Sequence, residues 1–211
     1  MSHAEADPLP PEAFEKILLG RGALFPIAAP LPIPRLARYL SELDRWRRSA
    51  NLVGDLSPQE LSDHALESAL GSNLIAHGEE VVDVGSGAGF PGLPIAILRP
   101  DLKVALVEPR QKRAAFLRHA ARDLGLSNVA VVEARIEEVV GQTFDCATTR
   151  AVGNLPHWLR KPVFLKPSGR VIAWLTASAG LEEALSARFR ADQSLAIPGS
   201  SRRRIVVFRR K

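Results

Sequence analysis

The chain is poor in cysteine and has no long apolar segment. Cys146 is the only cysteine among 211 residues, which excludes a disulfide framework and a thiolate zinc site, and no other metal motif is present. The most apolar early stretch, residues 23–33, is interrupted by three prolines and is too short to span a bilayer. Asp7 and Glu12 stand where a signal peptide needs basic and apolar residues. We therefore expect a soluble, cytoplasmic protein with no membrane partner.

Basic residues outnumber acidic ones in this chain. There are 28 lysines and arginines against 23 acidic residues, which gives a net charge of +5. A basic excess favours a polyanionic partner, because binding releases the counterions condensed on that partner. Charge alone leaves open whether the polyanion is RNA, DNA or a membrane surface.

The most informative stretch is residues 80–94, which reads EVVDVGSGAGFPGLP. An apolar run ending at Val84 is typical of a buried parallel strand. Gly85, Gly87 and Gly89 follow at alternate positions, where residues without a Cβ allow backbone N–H groups to approach a ligand. The pattern predicts a ligand-binding loop between a strand and a helix.

The glycine spacing narrows the ligand class. A dinucleotide fingerprint needs a small third residue where this chain has Phe90. No Gly-Lys-Ser or Gly-Lys-Thr follows, which excludes a Walker phosphate loop. The spacing G-x-G-x-G with Asp83 ahead of it is similar to the first motif of S-adenosylmethionine (SAM)-dependent methyltransferases. A nicotinamide site, and a turn that only closes a strand–helix unit, remain alternatives.

Glu108 supports a nucleoside ligand. It ends a second short apolar run about twenty residues after the glycines, the separation that places a carboxylate at the tip of the adjacent strand. From there it can accept hydrogen bonds from both ribose hydroxyls. A solvated loop acid is the alternative interpretation.

Strand and helix patterns alternate from residue 80 onward. Strands are predicted at 80–84, 103–108, 129–133, 144–149, 169–175 and 204–209, and helices at 91–98, 111–124, 135–140, 153–165 and 179–190. Such alternation predicts an α/β fold with a mostly parallel sheet whose last strand is antiparallel. We divide the chain into a helical region, 1–78, and a ligand-binding domain, 79–211.

Three helices are predicted in the first region, at 11–20, at 34–49, and from 58 towards 77 with an interruption near Gly71. Ser57, Pro58 and Glu60 form the capping-box pattern that begins the third helix. Five arginines mark one face of the second helix, which we interpret as a solvated face.

Arg150 follows the strand predicted at 144–149, at the edge where open α/β sheets bind ligands. Its guanidinium can bind a carboxylate, a phosphate or a base by paired hydrogen bonds. No Asn/Asp-Pro-Pro-Tyr segment follows, which disfavours methyl transfer to an exocyclic amino group. A ring nitrogen such as guanine N7 already presents a lone pair, so transfer to it needs alignment rather than a general base.

Three segments carry a family resemblance: DVGSGAGFPGLPIAILRPDLKVALVEPRQKRAAFLRHAARDLGLSNV, FDCATTRAV, and ANLVGDLSPQELSDHALESAL upstream. They resemble the 16S ribosomal RNA guanine-N7 methyltransferases, also called the glucose-inhibited division protein B family. The resemblance implies a Rossmann-like SAM-dependent methyltransferase fold with a helical amino-terminal cap. It also implies SAM as donor and, as acceptor, a guanine in the decoding-centre loop of 16S RNA, met as naked RNA or in an assembling small subunit. We expect a monomer.

The resemblance also implies site residues. Together with Gly87, Gly89 and Glu108, which the spacing already indicated, it gives four loop residues and four later residues as expected cofactor contacts, namely Gly85, Gly87, Gly89, Phe90, Glu108, Ile136, Glu137 and Arg150. Positions in or near the catalytic site are Arg150, Asp83, Lys112 and Arg113. RNA contacts are expected from Lys112, Arg113, Asn51 and His64.

The chain departs from the family pattern at Val53, where the family has a threonine, and at two positions where the charge changes. Asp63 replaces an arginine, and Leu175 replaces a lysine near the end of the fifth strand. These changes affect the acceptor half of the site, so two alternatives stay open: a methyltransferase with another acceptor, and a relative that binds SAM or RNA without turnover.

Overall fold

A computed structural model describes residues 7–27, 30–150, 159, 161–176 and 188–211. The strands are β1 (Glu80–Val84), β2 (Lys103–Val107), β3 (Val129–Val132), β4 (Phe144–Arg150), β5 (Leu165–Thr176), β6 (Phe189–Ala196) and β7 (Arg203–Arg210). The α-helices are α1 (Pro11–Gly22), α2 (Ile33–Ala50), α3 (Pro58–Gly71), α4 (Gly92–Leu98) and α5 (Gln111–Asp123). Short 3-10 helices cover Ser72–Leu74 and Ile136–Glu138.

The strands form one seven-stranded sheet in the order β3-β2-β1-β4-β5-β7-β6. Strands β1 to β5 are parallel, and β7 pairs antiparallel with both β5 and β6. The predicted α/β class and the antiparallel last strand are confirmed. Because the order runs outward from β1 in both directions, the carboxyl ends of β1 and β4 enclose the crevice where such sheets bind ligands.

Apolar patterning explains the layers. Each residue of α4 is buried, as a helix must be when its whole surface packs between a sheet and other helices. One hydrophobic cluster joins residues of the amino-terminal helices, such as Phe14 and Leu61, to sheet residues such as Val81 and Ile172. A second cluster lies around Val82. The helical region and the sheet thus share one core.

The third helix begins as predicted. The Ser57 side chain accepts from the Glu60 backbone N–H, and the Glu60 carboxylate accepts from the Ser57 backbone N–H at 2.7 Å. The helix ends at Gly71, and a 3-10 turn follows. A side chain at Gly71 would lie 2.1 Å from the Trp174 ring, so this helix packs closely on β5.

The basic face of α2 is only partly solvated. Arg35 donates to the Leu124 carbonyl at 2.7 Å, and Arg38 forms an ion pair with Asp123 at 2.8 Å. Both contacts lead to the end of α5. Arg35 and Arg38 are nevertheless exposed, in agreement with a solvated face. Our interpretation was wrong for Arg47, whose side chain is only 15% exposed and pairs with Asp44.

Three expected elements differ from the structure. The predicted helix at 135–140 is a single 3-10 turn. Of the helix predicted at 153–165, residues 161–164 are irregular and Leu165 begins β5, while most of the remainder lies outside the described residues. Of the helix predicted at 179–190, Phe189 and Arg190 belong to β6, and most of the rest is likewise not described.

Strand β6 was not predicted. Most of its side chains are exposed, so it lacks the apolar alternation that marks a half-buried strand. It forms because β7 supplies a hydrogen-bonding partner through a turn containing Pro198 and Gly199.

Candidate active site

The glycine-rich loop leaves β1 in a conformation that requires glycine. Gly85, Gly87 and Gly89 have φ values of 71°, 54° and 100°, in the left-handed region that other residues rarely adopt. A side chain at Gly89 would lie 2.5 Å from Leu93. The backbone N–H of Gly85 donates to the Val107 carbonyl at 2.9 Å, which ties the loop to the end of β2.

Asp83 lies beneath this loop and is fully buried. Its carboxylate accepts from the Thr148 hydroxyl at 2.9 Å and from the Gly92 backbone N–H at 3.3 Å. Burial raises the pKa of Asp83 to about 6, against the opposing effect of these hydrogen bonds. Asp83 therefore links β1, β4 and the start of α4.

Glu108 stands at the tip of β2 and is 3% exposed. One carboxylate oxygen accepts from the Gly87 backbone N–H and the other from the Arg110 backbone N–H, both at 2.9 Å. Each carboxylate oxygen has a further lone pair, so the group retains the capacity to accept from two hydroxyls. The carboxylate and the glycine loop are thus in direct contact.

Ile136 and Glu137 lie just beyond β3, the next strand of the sheet. Ile136 is buried and Glu137 is exposed, within the 3-10 helix. The Glu108 backbone N–H donates to the Val132 carbonyl at 3.0 Å, which holds the ends of β2 and β3 together. The expected cofactor residues after β1, β2 and β3 therefore occur along one edge of the sheet.

Phe90 packs between two aromatic side chains. Its ring lies edge-on to Tyr39 and to His64, with centroid separations of 5.5 Å in both cases. The Tyr39 hydroxyl donates to the Ala88 carbonyl at 2.8 Å, which ties α2 to the loop. Burial, with a further contribution from Arg150, lowers the pKa of His64 to about 3, so this histidine is neutral at pH 7.

Arg150 ends β4 within an ionic cluster. Its Nη2 lies 2.9 Å from Glu67 Oε2, and Arg203 contacts the other oxygen of Glu67. Burial raises the pKa of Glu67, while the two arginines act in the opposite direction. Sequence reasoning assigned no function to Glu67 or Arg203. The sequence did contain one signal for Glu67: it is a charged residue between Leu66 and Ser68 on a helix whose apolar residues predict packing into the core.

Arg113 lies between the loop and the end of α2. It donates to the Asn51 carbonyl at 2.8 Å, and one of its nitrogens is 3.7 Å from the position a Cβ would take at Gly87. Lys112 is exposed beside it. The structure thus brings Asn51 and Arg113 together next to the loop, while His64 lies on the Phe90 side.

This arrangement fits a nucleoside cofactor. The three loop glycines have no side chains, and their N–H groups donate to the Val107 carbonyl, the Glu108 carboxylate and the Ser86 carbonyl. The buried Glu108 carboxylate retains lone pairs that can accept from two vicinal hydroxyls. Within the described ranges, no group of three or more His, Cys, Asp or Glu residues could hold a metal ion. No helix of the described chain is long and apolar enough to cross a membrane.

Comparison with known sequences identifies similar proteins. Residues 33–198 match a family model described as GidB, rRNA small subunit methyltransferase G. A ribosomal RNA small subunit methyltransferase G from Sorangium cellulosum is 40% identical over 172 residues, covering 77% of this chain and 71% of that protein. The Myxococcus xanthus protein of the same name is 39% identical over 148 residues, covering 67% and 68%. The chain spans 59% of the Nitrosomonas europaea relative, at 39% identity.

Solved structures share the fold. A ribosomal protein L11 methylase from Lactobacillus delbrueckii superposes with a TM-score of 0.61 at 19% identity, covering 71% of this chain and 79% of that one. M. jannaschii TYW2, solved in complex with AdoMet, gives a TM-score of 0.55 at 18% identity, covering 70% and 74%. At these identities the likeness concerns the fold, which is that of Rossmann-like methyltransferases.

Proposed function

The chain belongs to the rRNA small subunit methyltransferase G family, and we propose that it transfers a methyl group from SAM to guanine N7 in the decoding-centre loop of 16S ribosomal RNA. The observation that carries this proposal is the contact between the Gly87 backbone and the Glu108 carboxylate. It supports the proposal because it brings a glycine loop and a carboxylate together at the tips of two adjacent strands.

When bound, SAM supplies an electrophilic methyl group on a sulfonium sulfur. The chain would hold it through the loop, with Gly85, Gly87 and Gly89 leaving space for the ligand and Glu108 accepting from the ribose. Ile136 and Glu137 would border the adenine. Phe90 would wall the pocket, since its ring is fixed by Tyr39 and His64. Asp83 would hold the loop from beneath through Gly92 and Thr148.

The acceptor chemistry needs few groups. Guanine N7 presents a lone pair in the neutral base, so the enzyme has no proton to remove before transfer. Its task is to align the nitrogen with the methyl group and to exclude water. A buried guanidinium at Arg150 is compatible with that task, because a protonated guanidinium has no free lone pair that could compete with the base for the methyl group.

RNA contacts would come from the surface beside the loop. Lys112 is exposed and Arg113 is partly exposed next to Asn51, where cations can meet phosphate oxygens. We propose that the substrate is 16S RNA, naked or in an assembling subunit, and that the enzyme acts as a monomer in the cytoplasm. The single cysteine, buried and free in β4, agrees with a reducing compartment.

A different acceptor class is not favoured by the departures from the family pattern. Asp63 forms an ion pair with Arg21, and the second oxygen of its carboxylate accepts from Arg21 Nη2 at 2.9 Å. The replacement of the family arginine by Asp63 is therefore accommodated by an ion pair between α1 and α3. The register pairs Leu175 of β5 with Arg204 of β7. A cation is therefore present close to the position where the family lysine is missing.

The proposal is tested with tritiated SAM and 16S RNA from a strain that lacks this enzyme. We expect label in one 7-methylguanosine of the decoding-centre loop, and none with RNA already methylated at that base. Label on another base, or on a protein or metabolite instead of RNA, would contradict the proposal. SAM binding without any transfer would favour a relative that has lost turnover.

A further inference from the structure

A buried carboxylate connects two arginines from different strands. Glu67 of α3 contacts Arg150 at the end of β4 and Arg203 at the start of β7. We call these three residues the Glu67 cluster. Glu67 is 1% exposed, while the side chains of Arg150 and Arg203 are 14% and 35% exposed. The cluster therefore runs from the core to the surface.

The position of Glu67 is fixed by packing. The Trp174 indole N–H donates to the Glu67 carbonyl at 3.0 Å, and one turn later Gly71 allows the same indole to approach the helix. Buried ion pairs of this kind contribute little net stability, because desolvation offsets their attraction. Core packing alone gives no reason to bury Glu67 and most of Arg150 here, which points to a role for the arginines.

The cluster has an unbalanced positive charge. Two guanidinium groups face one carboxylate, and neighbouring His64 is neutral at pH 7. Asp63, the next acid along α3, already pairs with Arg21. Glu60 also acts electrostatically on Arg203, but it is exposed to solvent and its carboxylate accepts hydrogen bonds from Ser57 in the helix cap. Arg150 Nη1 is also buried without a hydrogen-bond partner among the described residues. Buried donors in native proteins generally have a partner. An anion with a single charge would balance the excess positive charge and would also accept a hydrogen bond from Arg150 Nη1.

We propose that Glu67 is a positioning residue that holds Arg150 and Arg203 together to bind one phosphodiester of the RNA beside the target base. This inference rests on the proposed function. One phosphodiester carries a single negative charge, and its two free oxygens match guanidinium donors. The bound phosphate fixes the strand, so that the adjacent base enters the crevice between β1 and β4.

The sheet order favours a phosphate over the carboxylate of the cofactor. Glu108, which marks the nucleoside end of the cofactor site, lies at the tip of β2, and Arg203 begins β7. The order β2-β1-β4-β5-β7 separates them by four strand spacings, or about 19 Å at roughly 4.8 Å each. Arg203, the exposed part of the cluster, therefore lies away from the cofactor loop.

The first test is Arg203→Met, which removes the charge and keeps an apolar stem. RNA affinity is measured by fluorescence anisotropy over a salt series, and SAM affinity by calorimetry. Loss of one phosphate contact should flatten the slope of log affinity against log salt by about 0.7 to 0.9, with SAM affinity unchanged. Arg209→Met is the matched control, since Arg209 lies at the other end of β7 and pairs with Asp192; its salt slope should equal that of the wild type.

The second test is Glu67→Gln, which increases the positive charge facing RNA. If Glu67 acted only through charge, the variant would bind RNA more tightly and methylate it as well as the wild type. A positioning role predicts at least a tenfold loss of kcat/KM for RNA with SAM affinity unchanged, and partial recovery in Glu67→Asp. Thermal unfolding checks that each variant is folded.

The outcomes separate the possibilities. An unchanged salt slope in Arg203→Met would refute the phosphate site, whether or not Glu67→Gln folds. Weaker SAM binding in either variant would assign the cluster to the cofactor carboxylate instead. Wild-type kcat/KM in Glu67→Gln would refute the positioning role. Failure of the wild-type protein to methylate 16S RNA would refute the proposed function, whereas a salt slope altered only in Arg203→Met would still support an RNA contact.

Discussion

Asp83→Asn provides a quantitative test of how the glycine loop is supported. Burial raises the pKa of Asp83 from 3.8 to about 6, so the native state binds a proton over a range where the unfolded state has lost it. Stability from this group is therefore fully present below pH 3.8 and decreases as the pH rises towards 6. Asparagine does not titrate, so the variant lacks this dependence.

The magnitude follows from the pKa difference. Each pH unit between the two pKa values changes the free energy of unfolding by about 1.4 kcal/mol. Over the range from 3.8 to about 6, the wild type should lose about 3 kcal/mol relative to the variant. The variant also loses one acceptor, because an amide can accept from either Gly92 or Thr148 through one oxygen only. That loss is independent of pH, so it changes the difference in unfolding free energy between the two proteins by the same amount at every pH.

The assay is urea unfolding of both proteins at intervals from pH 3.5 to pH 7.5. His64 contributes a slope of opposite sign, because its lowered pKa makes the native state less able to bind a proton between pH 6.5 and about 3. That contribution is common to both proteins and cancels in the difference. A difference in unfolding free energy that stays constant over the whole range would refute the assignment of a raised pKa to Asp83.

Three further substitutions test the loop, the carboxylate and the helix cap. Gly89→Ala places a side chain 2.5 Å from Leu93 at a φ of 100°; we expect a loss of about 1–3 kcal/mol in unfolding free energy and weakened SAM binding by calorimetry. Glu108→Gln removes the charged acceptor, which should weaken SAM binding by roughly tenfold to a hundredfold, from about 1.5–3 kcal/mol for a charged hydrogen bond; unchanged affinity would exclude a ribose contact. Ser57→Ala removes the cap of α3 and should lower the free energy of unfolding, measured with urea, by about 1 kcal/mol. The methylation rate of the folded variant should equal that of the wild type.

The local sequence predicted the glycine loop and the carboxylate that contacts it. Glycines at alternate positions after an apolar run, and an acid about twenty residues later, depend on backbone conformation and on the spacing of adjacent strands. Both are properties of short segments, and the structure indeed brings Gly87 and Glu108 into contact. The capping box at Ser57 was predictable for the same reason, since its bonds join residues three apart.

The Glu67 cluster, which we propose to face the RNA, depended on tertiary structure. Glu67 and Arg203 meet only because α3 packs on β5 through Trp174, a hydrogen bond across 107 positions, and because β7 enters the sheet beside β5. Strand β6 likewise exists through its pairing with β7, without an apolar pattern of its own. Local propensity and short-range spacing determined the loop and its carboxylate. Long-range pairing of helices and strands decided which charged side chains meet in the Glu67 cluster. Such contacts depend on how whole elements pack, and they leave no periodic signal in the sequence.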